Sequence, residues 1–139
     1  MRTGRCYCGA VRYELVGSIG PLVNCHCKYC RRAHGAAFAT SCLVRSQDLR
    51  VTTGDAHVRE YATSEGFRYF CECCGGRLFN RPSSTPQITM VLVASLDEEP
   101  TAHPVMHINV ESKAPWYEIL DDSPQFQGLP PAAKAVLDA

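Results

Sequence analysis

The sequence predicts a single domain with a mainly β fold, built of several short, coiled antiparallel sheets stapled together by zinc. Three observations predict it. Short segments rich in β-branched and aromatic residues recur along the chain, turn-forming residues separate them, and the cysteines are bunched. A chain of 139 residues can bury one hydrophobic core. We therefore expect one domain over residues 1–139, with a core at about residues 5–128 and a tail at 129–139.

Seven segments have the composition of strands: VRYEL (11–15), AAFATSCLV (36–44), LRVTT (49–53), HVREYAT (57–63), FRYFC (67–71), ITMVLVASL (88–96) and VMHINVE (105–111). The predicted connections are residues 17–21, 53–55, 64–66, NRPSSTP (80–86) and DEEPTAHP (97–104). Only two places favour a helix, KYCRRAH (28–34) and PPAAKAVLDA (130–139). Strands this short leave little contiguous core, so metal cross-links would contribute to stability.

Charge and hydrophobicity exclude several classes of protein. Basic and acidic residues balance at 14 each, so we expect no nucleic-acid partner. The first ten residues, MRTGRCYCGA, lack the apolar region of a secretory signal. The longest mainly apolar run, ITMVLVASL, is too short to span a membrane. We therefore expect a cytoplasmic protein whose thiols stay reduced.

Nine cysteines are many for such a chain, and an odd number does not suit a disulfide framework. They occur as CYC (6–8), CHCKYC (25–30) and CECC (71–74), with Cys42 alone. Bunching of this kind provides the several sulfur donors that one metal ion needs. The pattern therefore indicates metal binding rather than disulfides.

CYCG and CECCGG each offer two thiolates, which cannot close a metal site alone. On an extended segment, Cys6 and Cys8 would have Cα atoms roughly 6.6 Å apart and side chains on one face. Two sulfurs bound to one zinc lie only about 3.8 Å apart, which converging side chains can reach. Pairing Cys6 and Cys8 with Cys71 and Cys74 predicts a structural zinc with four thiolates. Cys73 lies between Cys71 and Cys74, and we expect its side chain to point away from the metal as a small buried hydrophobic residue.

The middle group, CHCKYC, has only three thiols: Cys25, Cys27 and Cys30. Three protein ligands and one open position are typical of a zinc ion that binds substrate or water. We therefore predict a second, catalytic zinc at these cysteines, with its fourth position left for a ligand from outside. His26 would have to fold back to reach the same ion, so we interpret it as a residue that packs behind the ligands.

Basic residues surround this group. Lys28, Arg31 and Arg32 have two interpretations: they offset the negative charge of a zinc tris-thiolate, or they also attract an anionic substrate. On the second interpretation, Arg31 and Arg32 are the candidate substrate-binding residues. His34 and His57 have no metal-ligand spacing and are expected to be ordinary surface or core residues.

Four segments, CYCGAVRYEL, CHCKYCRRAHGAAF, FCECCGGRLF and HINVESKAPWYEILDDSPQFQG, occur in this order between Cys6 and Gly128. In this combination the chain resembles the glutathione-dependent formaldehyde-activating enzyme family, the group with the centromere protein V-like zinc-binding domain. The resemblance implies a fold similar to the methionine-R-sulfoxide reductases and the translationally controlled tumour protein. It also implies a structural zinc at Cys6, Cys8, Cys71 and Cys74, and a catalytic zinc at Cys25, Cys27 and Cys30.

The family's name implies a carbon–sulfur lyase reaction in which glutathione and formaldehyde form S-hydroxymethylglutathione. The expected partners are therefore a small-molecule thiol and a small aldehyde. No role transfers to Cys42 or Cys73. Trp116, within SKAPWYEI, is expected to be a core or pocket-wall aromatic residue. Two other interpretations stay open: a non-enzymatic scaffold in which both zinc sites are structural, and a thiol redox or metal-buffer module that uses Cys42 or Cys73.

Overall fold

The computed structural model describes residues 1–130, and within them the fold is mainly β, as predicted. Strands account for 40% of the structure and helices for 15%. The chain divides into two compact units: the first contains Met1–Gly20 and Cys42–Thr101, and the second contains Pro21–Ser41 and the chain from Ala102 onward. The expectation of one domain over residues 1–139 stays a prediction. The predicted helix at 130–139 lies outside the described residues, apart from Pro130.

Residues 1–130 contain ten strands and one α-helix. The strands are β1 Arg2–Arg5, β2 Arg12–Leu15, β3 Leu22–Cys25, β4 Ala39–Arg45, β5 Leu49–Thr53, β6 Val58–Thr63, β7 Gly66–Cys71, β8 Arg77–Pro82, β9 Ile88–Leu92 and β10 Met106–Ile108. The helix α1 is Lys28–His34, and short 3₁₀ turns lie at Ser46–Asp48, Asp55–His57, Val93–Ser95 and Val110–Ser112. Within residues 1–130, no helix combines the length and apolar character needed to cross a bilayer.

The first unit contains two antiparallel arrangements. Strand β2 lies between β1 and β5 in a three-stranded sheet. In the larger sheet the neighbours run β4, β9, β8, β7 and β6, and β6 to β9 pair antiparallel. Strand β2 alternates as a half-buried strand should, since Tyr13 and Leu15 are buried while Arg12 is exposed.

The core of the first unit packs around Tyr13. Its ring meets Phe79 edge-on, with the ring centroids 6.2 Å apart, and its hydroxyl is hydrogen-bonded to Ser95. Val11, Leu78 and Val91 are completely buried in the same unit. Burying each such aliphatic side chain contributes about 1.5–3 kcal/mol. This core therefore fixes β2 and β8, the strands that follow the CYC and CECC segments.

In the second unit, β3 lies between β10 and the start of β4. All four residues of β3 are buried, which explains why the segment LVNC does not alternate. Strand β10 pairs parallel with β3, placing His107 beside Asn24 and Ile108 beside Cys25. The sequence had led us to expect antiparallel pairing only, and the parallel pair of β3 and β10 corrects that expectation. This parallel edge supports the first cysteine of the CHCKYC group.

The predicted elements can be compared with the observed ones. Helix α1 occupies the predicted residues 28–34, and each of the seven predicted strand segments contains a strand. Strands β1, β3 and β8 were not predicted. The predicted loop at 80–86 was wrong in its first part, because β8 continues to Pro82. The predicted strand at 88–96 ends at Leu92, where a 3₁₀ turn begins.

Candidate metal centres

The four predicted structural ligands lie together in the first unit. The Sγ atoms of Cys6, Cys8, Cys71 and Cys74 are all within 4.8 Å of one another. The Sγ atoms of Cys6 and Cys8 are 3.7 Å apart, close to the separation of about 3.8 Å expected on a tetrahedral zinc with 2.3 Å bonds. None of the nine cysteines forms a disulfide. The donor set therefore fits zinc, and the binding itself stays a prediction.

The bends that carry these cysteines point backbone N–H groups at the sulfurs. Val11 donates to Cys6 Sγ and Gly76 donates to Cys74 Sγ, both at 3.3 Å. Gly75 follows Cys74 with φ of 74°, a conformation that favours glycine, and its N–H donates to the carbonyl of Cys71 at 2.7 Å. Such a tight bend, with N–H groups directed at the sulfurs, is typical of a metal knuckle.

The pKa values of this cluster favour a bound cation. Burial raises the pKa of Cys71 to about 12. Burial acts in the same direction on Cys74, but hydrogen bonds with the backbone of Cys8 and Gly76 and with the side chains of Cys8 and Cys71 together outweigh it and lower its pKa to about 6. With its raised pKa, Cys71 becomes a thiolate at neutral pH only if a positive charge among the sulfurs stabilises it.

Cys42 and Cys73 lie outside both groups of clustered donors. Cys42 is completely buried in the first unit, and burial raises its pKa to about 11. Cys73 is exposed rather than buried, so the expectation of a small buried hydrophobic residue was wrong. The tight turn between Cys71 and Cys74 leaves its middle residues outside, which explains the exposure.

The three predicted catalytic ligands lie together in the second unit. The Sγ atoms of Cys25, Cys27 and Cys30 are within 4.8 Å of one another, and no other His, Cys, Asp or Glu of residues 1–130 joins this group. Cys25 and Cys30 are buried and Cys27 is half-buried. Hydrogen bonding with Cys27 and Cys30, together with burial, raises the pKa of Cys25. Ionisation of all three thiols of this group therefore requires a positive charge beside them, as at the four-cysteine group.

Strand β3 and the start of helix α1 position the thiols of this group. Cys25 ends β3, and the side-chain amide of Asn109 donates to its sulfur at 3.3 Å. Cys27 is the N-cap of α1, and its sulfur accepts the N–H of Cys30 at 3.2 Å. Cys30 lies in the first turn of the helix, whose C-cap is Gly35 with φ of 59°. N–H donors at two of the three sulfurs favour thiolates.

His26 is not part of the donor group, in agreement with its interpretation as a residue that packs behind the ligands. Its side chain is completely buried, and its Nε2 lies 2.8 Å from Nδ1 of His107, which is also buried. Nε2 of His107 lies 2.9 Å from the carboxylate of Asp121. Burial, and next the charge of His107, lower the pKa of His26 to about 4. The ring of His26 is therefore neutral at physiological pH.

Helix α1 also presents a basic face. Lys28, Arg31, Arg32 and Gly35 have the spacing i, i+3, i+4, i+7 of one helix face. Together with Ala36 and Trp116 they line an open cavity of about 330 Å³. Lys28 and Arg32 are exposed, whereas Arg31 is half-buried and donates from Nη1 to the carbonyl of Ser112 at 2.9 Å.

Trp116 is 69% exposed, so it is a pocket-wall residue and not a core residue. His57 is an exposed residue beside Glu72, and His34 is half-buried at the end of α1; both lie outside the clustered donors, as expected. The sequence did not reveal Asn109, His107 or Asp121. Their only signal was their position within the family-like segment HINVESKAPWYEILDDSPQFQG.

Comparisons with known proteins find a matching family, a similar sequence and a similar structure. The family described as "Glutathione-dependent formaldehyde-activating enzyme" matches residues 1–112. A protein of Halomonas elongata, named "Putative glutathione-dependent formaldehyde-activating enzyme", is 30% identical over 124 residues, which cover 84% of this chain and 79% of that protein. A crystal structure of a Rhodobacter sphaeroides protein is similar with a TM-score of 0.61 and 30% identity. The similarity covers 71% of this chain and 91% of that one.

Proposed function

Because the chain belongs to the glutathione-dependent formaldehyde-activating enzyme family, we propose that it is a zinc-dependent enzyme of carbon–sulfur chemistry. It adds a thiol, glutathione or a similar molecule, to formaldehyde or another small aldehyde. The reverse direction is a carbon–sulfur lyase reaction. We further propose two zinc ions per chain and a cytoplasmic location, where glutathione and protein thiols are kept reduced.

The arrangement of Cys25, Cys27 and Cys30 carries this proposal. Three sulfurs converge, and no fourth His, Cys, Asp or Glu donor of the described chain accompanies them. A tetrahedral ion held by three protein ligands has one position for a substrate. By contrast, Cys6, Cys8, Cys71 and Cys74 supply a complete set of four ligands, which suits a structural site.

The reaction balances without an oxidant or a reductant. The S–H bond of the thiol breaks and a sulfur–carbon bond forms at the aldehyde carbon. The π electrons of the carbonyl move to its oxygen, which takes up the proton and becomes a hydroxyl. Zinc, when bound, supplies the positive charge that lowers the pKa of a thiol from about 8.5 or polarises a carbonyl oxygen.

The chain's own residues bind and orient the thiol. The cavity of about 330 Å³ is lined by Lys28, the residue after Cys27, and by Arg31, the residue after Cys30. Helix α1 therefore carries both metal ligands and cavity residues. Glutathione has two carboxylates, and the exposed ends of Lys28 and Arg32 are suited to pair with them. The indole of Trp116 forms a wall for the apolar part of the thiol. Arg31, held by Ser112, supplies positive charge from a fixed position.

Cys27→Ala tests the proposal. This variant removes one of the three clustered sulfurs, so we expect one zinc per chain instead of two, and thiol–aldehyde turnover reduced to the uncatalysed rate. Zinc content is measured by elemental analysis, and turnover by NMR exchange between formaldehyde and its glutathione adduct. The matched control is Cys73→Ala, because Cys73 is exposed and belongs to neither group. It should retain two zinc ions and full turnover.

Unchanged turnover in Cys27→Ala would refute the proposed enzyme. X-ray absorption at the zinc edge of the wild-type protein gives a second test. We expect an average of more than three but fewer than four sulfur neighbours per zinc, since one site has four thiolates and the other has three. Four protein donors at both sites would instead favour the non-enzymatic scaffold.

A further inference from the structure

A buried chain of hydrogen bonds begins at the segment that carries two of the metal ligands. His26 lies between Cys25 and Cys27, and its ring contacts His107, whose Nδ1 is 2.8 Å from Nε2 of His26. Nε2 of His107 is 2.9 and 3.1 Å from the two carboxylate oxygens of Asp121. His26 and His107 are 0% and 1% exposed, whereas the Asp121 side chain is 52% exposed. The chain therefore connects the ligand segment with a surface carboxylate.

The carboxylate fixes the direction of the hydrogen bond that it accepts. An ionised Asp121 can only accept, so Nε2 of His107 donates to it. When His107 carries its only proton on Nε2, its Nδ1 accepts from Nε2–H of His26. His26 is left with a bare Nδ1, and this buried atom has no hydrogen-bond partner within residues 1–130. In this arrangement a single surface carboxylate sets the tautomer of His107, and the hydrogen bond between the rings extends its influence to His26.

Other contacts hold the same segment. The backbone N–H of His26 donates to the carbonyl of Ile108 at 3.0 Å, and the ring centroid of Phe38 lies 5.0 Å from that of His26. Asn109, the residue after Ile108, has φ of 56° and donates to Cys25 Sγ. A positive φ is uncommon for a residue other than glycine. The segment is therefore held from both its backbone and its side chains by β10 and the residue that follows.

We propose that Asp121, His107 and His26 are a positioning chain, which holds Cys25 and Cys27 in the geometry that binds the metal. The chain acts through His26: the hydrogen bond between its ring and His107 restrains the backbone between the two ligands. This inference rests on the proposed function only in requiring a metal at Cys25, Cys27 and Cys30. Partners of this kind behind metal ligands contribute about 10- to 100-fold to affinity.

Two substitutions of the exposed residue Asp121 test the proposal without creating a cavity in the core. Asp121→Ala removes the acceptor, so we expect cobalt(II) affinity at the three-cysteine site to fall by about 10- to 100-fold. Asp121→Asn keeps an amide oxygen that can accept from His107, so its loss should be clearly smaller. Asp122→Asn is the matched control, a neighbouring exposed carboxylate. The four-cysteine site is an internal control whose affinity should not change.

Cobalt(II) alone is the probe, because its thiolate charge-transfer bands and its ligand-field bands report both affinity and geometry. Nitrogen-15 NMR of the five histidines gives an independent readout of the ring tautomers. We expect His26 and His107 of the wild-type protein to carry their protons on Nε2, and this pattern to change in Asp121→Ala. A residue with only a structural role would not alter the tautomer of a ring two hydrogen bonds away.

Affinity and ring signals in Asp121→Ala that equal those in Asp122→Asn would overturn the positioning chain. A wild-type protein that binds no metal at the three cysteines would overturn it as well, together with the proposed function. The two proposals separate in another outcome. If cobalt binds and Asp121→Ala weakens it, but the zinc-loaded protein adds no thiol to formaldehyde, the proposed function is wrong and the positioning chain stands.

Discussion

Single residues differ in how far their position in the sequence predicts their role in the structure. Cys25, Cys27 and Cys30 were recognised because metal ligands at short spacing converge by local geometry alone. His107 lies 81 positions from His26, and Asp121 lies 14 positions beyond His107, so no local pattern connects them. Cys73 shows the opposite failure: a hydrophobic residue type suggested burial, but the tight turn leaves it exposed.

Arg32 provides a test of substrate binding at a single residue. It is exposed on the cavity face of α1, so a pair with a substrate carboxylate would be solvent-screened and worth about 0.5–1 kcal/mol. We expect Arg32→Ala to raise KM for glutathione by about two- to fivefold and to leave kcat unchanged. The measurement is steady-state kinetics with glutathione and with 2-mercaptoethanol, which has no carboxylate.

The neutral thiol is the control, and its KM should not change in Arg32→Ala. Arg45→Ala, at an exposed arginine paired with Asp48 in the first unit, should change neither KM. An equal increase of KM for both thiols would mean that Arg32 does not recognise a carboxylate.

Asp97 makes the stability depend on pH. Its carboxylate accepts from Arg5 Nε at 2.7 Å and from Thr3 Oγ1 at 2.8 Å, and these hydrogen bonds lower its pKa, with Arg5 the larger cause. Since the folded-state pKa lies below the unfolded value of about 3.9, Asp97 stabilises the fold above that pH. The contribution is lost as the pH falls through the folded-state pKa.

Asp97→Asn should therefore lower the free energy of unfolding by about 0.5–1 kcal/mol at pH 7. The difference from wild type should shrink as the pH falls below about 4, because the native carboxyl then becomes neutral too. Urea unfolding at several pH values measures both quantities. Glu98→Gln, at a neighbouring exposed carboxylate, is the control. A difference of the same size at pH 7 and at the lowest accessible pH would contradict the argument.

Among the secondary-structure elements, the strands that were not predicted have tertiary causes. β1 (RTGR) is largely polar and becomes a strand by pairing with β2. β3 (LVNC) is buried at all four residues, and an apolar run of that length does not identify a strand by itself. β8 (RLFNRP) ends in residues typical of a loop, but β7 pairs with it as far as Pro82. In each case the neighbouring strand determines the structure.

The turn between β5 and β6 gives a test at the level of an element. Gly54 has φ of 75°, and a Cβ there would lie 2.0 Å from the carbonyl oxygen of Ala10. Gly54→Ala should therefore cost about 1–2 kcal/mol for the left-handed backbone and about 1–3 kcal/mol more for the clash. Chemical denaturation measures the sum.

Gly17→Ala is the matched control. Gly17 has φ of 79°, but the atom nearest to an added Cβ is Asp48 Oδ2 at 3.7 Å, an ordinary contact. Only the backbone cost of about 1–2 kcal/mol should apply there. Equal losses in the two variants would mean that the turn moves away from Ala10 without cost.

Considered as a whole molecule, the chain gives each compact unit its own group of thiols. The four-cysteine group joins residues 6–8 to residues 71–74 within the first unit, and the three-cysteine group lies within the second. A metal bound by four thiolates cross-links distant parts of the chain, so its binding energy is also folding energy. A metal bound by three neighbouring cysteines closes only a short loop. Loss of the metal should therefore affect the stability of the fold more at the four-cysteine site than at the three-cysteine site.

Graded removal of zinc by a chelator tests this difference. We expect the zinc with three protein ligands to leave first, taking thiol–aldehyde turnover with it while the far-UV circular dichroism stays native. The second zinc should leave at higher chelator concentration, together with the β-sheet signal, because its four thiolates hold the first unit together. Zinc release, turnover and circular dichroism are measured on the same samples, with Cys73→Ala as the control. Simultaneous loss of both ions and of the fold would mean that the two sites do not have separate roles.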